Sequence, residues 1–437
     1  MKVSTILGIV LNLLVWLPAA AQQTQPAQQP RPSSVPYTDQ PGYEKKSTAV
    51  SQLIDEALAK NPDVLAATHA YRGASGMHKA ARALPDTQIS VQQTSAGSPR
   101  PFAGYTNSEF AYTALGVSQD LPYPGKRKLR AEVSENDADA QKAEIQSVST
   151  RIIEQIKTSY FLLSYLQQTH SIFDHDDLLL AQIEQTAEAR YRAGQGSQYE
   201  VLKIQLQHSK LFQEVAMHDR EEKQLQARLK QWLNRDQDSL NIVAEPITEK
   251  TERDRGLLLQ FAREQNPDVE VRKANLQKAL AQVDLAQKEF RPDFNIQYQY
   301  QNTDRRFRDR YMVTFGINLP NRGRRAAELT EAKENQERAQ QELQAEVQGR
   351  AADLQEQLVA VQTSAGQLKI YREGLIPQAE AAFNSALAAY ESNRGGFDVV
   401  LSAILDMQGI QRDYQKELAD HEIALAKIES LTGTSLQ

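Results

Sequence analysis

Phe294-Asn295-Ile296-Gln297-Tyr298-Gln299-Tyr300-Gln301 and, past a polar stretch from Asn302 to Arg310, Tyr311-Met312-Val313-Thr314-Phe315-Gly316-Ile317-Asn318-Leu319 decide the fold. In both runs apolar and polar residues alternate, so aromatic and aliphatic side chains share one face of a strand and amides share the other. About ten residues is the length of one membrane-crossing β-strand. A soluble hairpin has little use for a Gln/Asn face opposite an aromatic one, whereas a barrel wall between lipid and water needs it. The alternative is a pair of soluble hairpins carried on a helical protein.

Working outward, the same pattern occurs earlier in weaker form, with Ile89 and Val91 in one run and Phe110 and Tyr112 in the next, joined by a Gly/Ser/Pro loop from Ser95 to Asn107. The two regions are copies. Asn61-Pro62-Asp63-Val64 recurs as Asn266-Pro267-Asp268-Val269, Pro85-Asp86 as Pro292-Asp293, and Leu121-Pro122 with Gly125 as Leu319-Pro320 with Gly323. Tyr191 and Leu202, around a Gly-rich turn, recur as Tyr390 and Leu401. Four matches in one order, about 200 residues apart, mark a duplicated unit. In each unit a helix opens near Asn-Pro, a two-strand hairpin follows, a very long helix runs to the Gly-rich turn, and a return helix closes it.

The long helices carry coiled-coil seams. In the second copy the stripe runs Leu329, Ala332, the polar Gln336, Ala339, Leu343, Val347, Ala351, Leu354, Leu358, Val361, Ala365 and Leu368, mostly in alternating steps of three and four. Between Leu343 and Leu354 the steps become an eleven-residue insert, which unwinds a left-handed supercoil locally. Lys126 to Arg190 and Ala326 to Ala389 would each form a rod of roughly 95 Å. Such rods bridge a compartment. The expected fold is therefore mainly α with membrane β: long antiparallel coiled-coil helices plus four strands per chain. Four strands cannot close a barrel, and an open edge in lipid leaves unpaired N–H and C=O groups. Several chains must then share one barrel, with the helices following the same symmetry into a helical barrel below it.

The ends fit export. Lys2, the apolar run Val3 to Leu17 and the small residues Ala19-Ala20-Ala21 read as a signal peptide over residues 1–21, with Gln22 starting the mature chain. The rival is an uncleaved anchor, but the run is short for a span of about 20 residues. Residues 22–45 are a Gln/Pro/Ser-rich lead-in without hydrophobic period, read as disordered or extended. The first repeat is placed at 46–240, with strands about 86–97 and 108–120 and a tip about 191–199. The second is placed at 241–437, with strands about 293–302 and 310–319 and a tip about 390–397.

Composition excludes other classes. Among 437 residues there is no cysteine, so disulfides, thiolate metal sites, cysteine nucleophiles and N-terminal lipidation drop out. The formal charge of -6 suggests no nucleic-acid partner. No Walker loop, HExxH or GxSxG is present. An enzyme is not expected, nor a cofactor or a metal site. The cluster Asp174-His175-Asp176-Asp177 points in several directions on a helix and reads as a solvated face.

The export signal, the two Asn-Pro-opened repeats, the hairpin in each and the turn Arg190-Tyr191-Arg192-Ala193-Gly194-Gln195-Gly196-Ser197, followed by Glu200-Val201-Leu202, resemble the TolC-like outer-membrane factor family over residues 46–437. That turn and Leu121-Pro122-Tyr123-Pro124-Gly125-Lys126 look most similar to members paired with heavy-metal cation exporters. The resemblance implies a homotrimer in the outer membrane of a Gram-negative bacterium, with a twelve-strand barrel in outer-membrane lipid and a twelve-helix periplasmic tunnel. It implies a tip that meets a periplasmic adaptor (membrane fusion) protein and an inner-membrane pump. The function expected is the passive exit duct of a tripartite efflux system. The alternatives are a type I secretion duct and, in a different class, a soluble periplasmic coiled-coil scaffold.

Three groups of site residues follow. Tyr191, Gly194, Gly196, Tyr390, Gly395 and Gly396 are expected to form the adaptor-docking tip. Asn393 stands where the first copy has Gly194, and Asn tolerates the left-handed conformation. Asp398 and Glu200, just past the turns, are candidates for a constriction ring; the alternative is that both acids favour their helix N-termini. Lys126, Arg127, Arg322 and Arg324 open the long helices, where positive charge opposes the helix dipole, and read as a basic collar at the membrane surface or as a solvated helix face.

Overall fold

The computed structural model describes residues 47–94, 111–247, 266–303 and 309–433. The signal peptide, the 22–45 lead-in and most of both strand-connecting loops lie outside the described residues.

Two small helices begin the described chain, α1 (Val50–Lys60) and α2 (Pro62–Arg82). The hairpin β1 (Gln88–Thr94) and β2 (Tyr112–Leu121) leads into α3 (Lys126–Arg192), 67 residues and about 100 Å long. The return helix is α4 (Gln198–Trp232). The second repeat runs α5 (Pro267–Lys288), β3 (Asp293–Thr303), β4 (Asp309–Asn318), α6 (Arg322–Ile370), α7 (Ile376–Glu391) and α8 (Phe397–Thr432). Helix α1 lies ahead of the Asn61-Pro62 pair that opens α2, so the first unit begins one helix earlier than its Asn-Pro signal.

The two Asn-Pro pairs do identical work. Asn61 accepts from the N–H groups of Asp63 and Val64 and donates its amide to the Trp232 carbonyl at 2.9 Å. Asn266 accepts from Asp268 and Val269 and donates to the Leu431 carbonyl at 2.9 Å. Each caps a helix whose first position is proline, and each ties that helix to the far end of its own repeat's return helix.

The second rod differs from the first. It is not one α-helix: a single π turn, Tyr371–Leu375, separates α6 from α7. Pro377 stands at the second position of α7 and has no N–H to give the preceding turn, and the wider turn absorbs the missing bond. The coiled-coil stripe is otherwise as expected. Leu354, Val361 and Leu368 are buried, while Leu329, Ala332, Ala339 and Leu343 are half-buried in the single chain.

The four strands form one antiparallel sheet in the order β1-β2-β3-β4. Register places Ile89, Val117, Tyr298 and Val313 side by side, and next to them Val91, Leu115, Tyr300 and Tyr311. Most of this face is exposed, from Ile296 at 36% to Phe315 at 76%. The opposite face carries Ser90, Gly116, Gln299 and Met312 in one row, and Gln299 donates to Gln92 at 3.0 Å. Among the described residues no helix is long and apolar enough to cross a membrane. The helices pack through three apolar cores. One joins α1 to the middle of α3 and the end of α4, one fills the tip between α3, α4, α7 and α8, and one lies between α6 and α8.

Candidate functional site

The two reversals have the same hydrogen-bond pattern. In the first, the N–H of Gly194 reaches Tyr191, and those of Gln195 and Gly196 reach Arg190; in the second, Asn393 reaches Tyr390, and Arg394 and Gly395 reach Ala389. Gly194 has φ +71° and Asn393 φ +59°, so asparagine holds the left-handed position that glycine holds in the first copy. A Cβ on Gly196 would stand 3.1 Å from Arg190 Cβ, and one on Gly395 would stand 3.0 Å from Ala389 Cβ. Gly396 is under no such constraint, with nothing within 4 Å. Of the four tip glycines, three are favoured by backbone geometry: Gly194 by its positive φ, and Gly196 and Gly395 by the tight approach of the preceding turn.

The equivalent tyrosines part company. Tyr191 is 49% exposed; Tyr390 is fully buried. Tyr390 Oη donates to Glu200 Oε2 at 2.8 Å, and the Arg190 guanidinium lies 4.4 Å over its ring while donating to the Tyr390 carbonyl at 2.6 Å and Asn393 Oδ1 at 2.7 Å. Burial first, and then the Glu200 carboxylate, push the phenol well up, so it stays a donor. Hairpin one thus supplies a cation and a carboxylate, and hairpin two supplies the aromatic they hold. Sequence reading named Tyr390 and Glu200 but missed Arg190 as the clamp, because its equivalent in the second copy is Ala389.

The two candidate ring acids are in different situations. Both lie in the first turn of their helices, where the dipole favours them. Glu200 is occupied by Tyr390, whereas Asp398 is exposed and, among the described residues, is reached only by Tyr199 Oη at 3.4 Å.

At the other end of α3, the basic cluster divides. Lys126 is not a surface charge: it is 1% exposed, 3.0 Å from Glu289, 2.9 Å from Asp293, and donates to the Arg291 carbonyl at 2.8 Å. Its acidic partners answer the objection that a cation opens a helix. Burial pushes the Glu289 carboxyl up, but Arg130 and Lys126 together hold it below the usual range. Arg127 donates to the Arg82 carbonyl at the end of α2. Arg324 pairs with Glu328, and Arg322 is exposed. Gly125, at φ +96°, makes the corner from β2 into α3. This joint fixes the sheet to the rods through residues of both repeats.

The acidic stretch on α3 also differs from its reading. Asp174 and His175 are exposed, but Asp176 is wholly buried, facing α8. A local helical reading cannot see that α8 covers this one position.

An amphipathic four-stranded sheet joined to long helices, with apolar residues on one face and amides on the other, has the two unlike faces that a membrane pore wall requires. The model of the family described as outer membrane efflux protein matches residues 53–235 and 258–427. The chain belongs to this family. It is accordingly an outer-membrane efflux channel subunit and not an enzyme. Among solved structures, the outer-membrane channel OprN matches at TM-score 0.78 and 17% identity over 88% of this chain and 90% of that one. CusC, described in connection with transmembrane channel formation, matches at 0.76 and 17% over 88% and 92%. The outer membrane protein VceC of Vibrio cholerae matches at 0.75 and 18% over 89% and 97%. At these identities the likeness carries the fold. A search of curated proteins found no match.

Proposed function

We propose that three copies of this chain assemble into one duct that carries cargo from an inner-membrane pump, through a periplasmic adaptor, to the exterior. The observation that carries this reading is the sheet: its order leaves β1 and β4 each with one unpaired edge among the described residues, under an apolar face. In lipid those edges require strands from other copies. Family membership supports the three-fold arrangement and both partners.

In this reading the repeats stand as 46–240 and 241–437, and the two glycine turns around Tyr191, Gly194, Gly196, Tyr390, Gly395 and Gly396 form the adaptor-docking tip. Asp398, exposed beside the turn, is the better candidate for a constriction ring, because Glu200 is already held by Tyr390. Arg127, Arg322 and Arg324 remain candidates for a basic collar below the membrane; Lys126 belongs to the joint instead.

The test is the mass of the detergent-solubilised protein by light scattering, together with planar-bilayer conductance. A trimer that forms discrete channels is expected. A monodisperse monomer with intact β-signal would remove the shared barrel.

A further inference from the structure

Asp176 sits on α3 at the inner end of the tip core, one turn from Phe173. Its side chain is 0% exposed, and among the described residues its carboxylate has no well-formed hydrogen bond: the Gln408 amide approaches it and the Arg412 guanidinium stands 4.0 Å away. The groups that face it come from every helix packed there. From α8 come Arg412 and Gln408, whose buried amide nitrogen approaches the carboxylate without closing a good hydrogen bond. From α4 comes Glu214, with His218 one turn on; His170 lies further back on α3 itself. The guanidinium of Arg412 lies 5.6 Å over the Phe173 ring, 3.0 Å from Glu214 and 4.0 Å from Asp176.

This is a choice between two acids for one cation. An enclosed carboxylate with only a poorly placed amide donor and a cation 4.0 Å away is costly when ionised. Glu214 is about half exposed, so releasing it to water costs little. With Asp176 neutral, Arg412 rests on Glu214 and joins α8 to α4, as seen. With Asp176 ionised, the strongest available compensation is for Arg412 to move inward and join α8 to α3.

We infer that Asp176 is a proton-operated switch on Arg412, and that it sets how tightly α3, α4 and α8 pack at the inner end of the tip core. This goes beyond the duct reading and does not depend on what the tip docks. Burial pushes the Asp176 carboxyl up to about 7, against the lowering effect of Arg412. Because the folded value lies above the ordinary one, the neutral form's stabilisation is present at acid pH and is lost as pH rises through about 7.

The test is hydrogen exchange on the full-length protein in detergent at about pH 5.5 and about pH 8, corrected for intrinsic rates. Residues 170–180 and 404–415 are expected to exchange at least about tenfold faster at the higher pH. Asp176→Asn should exchange slowly at both, while His170→Gln and His218→Gln, which remove the other groups titrating nearby, should keep the difference. A wild-type difference in Asp176→Asn, or its loss in either histidine variant, overturns the switch. Should Asp176→Asn not assemble, Arg412→Gln decides: removing the cation should raise the pH midpoint of exchange, and an unmoved midpoint rejects the proposal.

Discussion

Tyr390 Oη, on the second hairpin, donates to Glu200 Oε2, on the first, at 2.8 Å, while Arg190 covers the same ring. The Tyr390→Phe variant keeps the packing and the cation–π contact but leaves the half-buried Glu200 carboxylate without its donor. The expected cost is about 1–3 kcal/mol, seen as faster exchange across residues 386–404. Tyr191→Phe, at the equivalent exposed position, should change nothing; equal effects would mean that the duplication, not this bond, governs the tip.

The glycines separate by geometry. Gly395→Ala forces a Cβ to 3.0 Å from Ala389 Cβ and 3.2 Å from the Ala389 carbonyl carbon, and Gly194→Ala places a side chain at φ +71°. Each should cost about 1–2 kcal/mol and reduce export by assembled channels. Gly396→Ala should be silent, since its Cβ meets nothing within 4 Å. Substrate resistance in cells, scored against channel abundance in the outer membrane, distinguishes the three.

What was legible in the sequence was whatever a local period or a repeated pair can express. The alternation from Phe294 to Leu319 reports β3 and β4 because a barrel wall has two unlike faces. The Asn-Pro pairs report helix starts because capping is local. What was illegible depends on partners distant in sequence. Lys126 reads as a stray cation until α5 brings Glu289 beside it. Asp176 reads as one more surface acid until α8 covers it. Pro377 could have signalled the π turn, because it lies inside a stretch otherwise patterned as one rod.

The strand–helix joint gives a third expectation. Lys126→Met leaves Glu289 with Arg130 and Arg325 but strips Asp293 of its cation. Removing one member of a buried ion cluster costs about 3–5 kcal/mol, so trimer yield should fall sharply, whereas Arg324→Met at the exposed pair should leave it unchanged. The same joint sets an acid limit. The Glu289 carboxyl lies below its ordinary value when folded, so its contribution is present above that ordinary value and is lost as pH falls through the lowered one. Acid unfolding of Lys126→Met should therefore begin at higher pH than in the parent protein.

Asn61 and Asn266 offer a paired test of the duplication. Asn→Ala at either removes two accepted backbone bonds and the donation to Trp232 or Leu431. Each should cost about 1–2 kcal/mol, and the double variant should be additive because no side chain is shared between the two sites. Asn→Asp keeps the cap and loses the donor, so its melting temperature should fall between parent and alanine variant. An aspartate as damaging as alanine would assign the stabilisation to the tie rather than to the cap.

The last expectation separates the two acids at the tip. Asp398 is exposed in the first turn of α8 and, among the described residues, meets only a long bond from Tyr199 at 3.4 Å, which supports the proposal that its charge acts on the pore. Glu200 accepts from buried Tyr390 and has a structural task. If three Asp398 carboxylates converge on the axis, they favour cations and bind divalent ions. Asp398→Asn should then lower cation selectivity and weaken divalent block from the periplasmic side, with little change in thermal stability. Glu200→Gln should do the reverse: it keeps an acceptor for Tyr390 but weakens a charge-assisted bond, lowering tip stability while leaving selectivity near the parent value. Reversal potentials in asymmetric salt, measured beside melting curves, read both quantities on the same preparations. Selectivity that follows Glu200 and ignores Asp398 would move the constriction to the first hairpin and remove Asp398 from it.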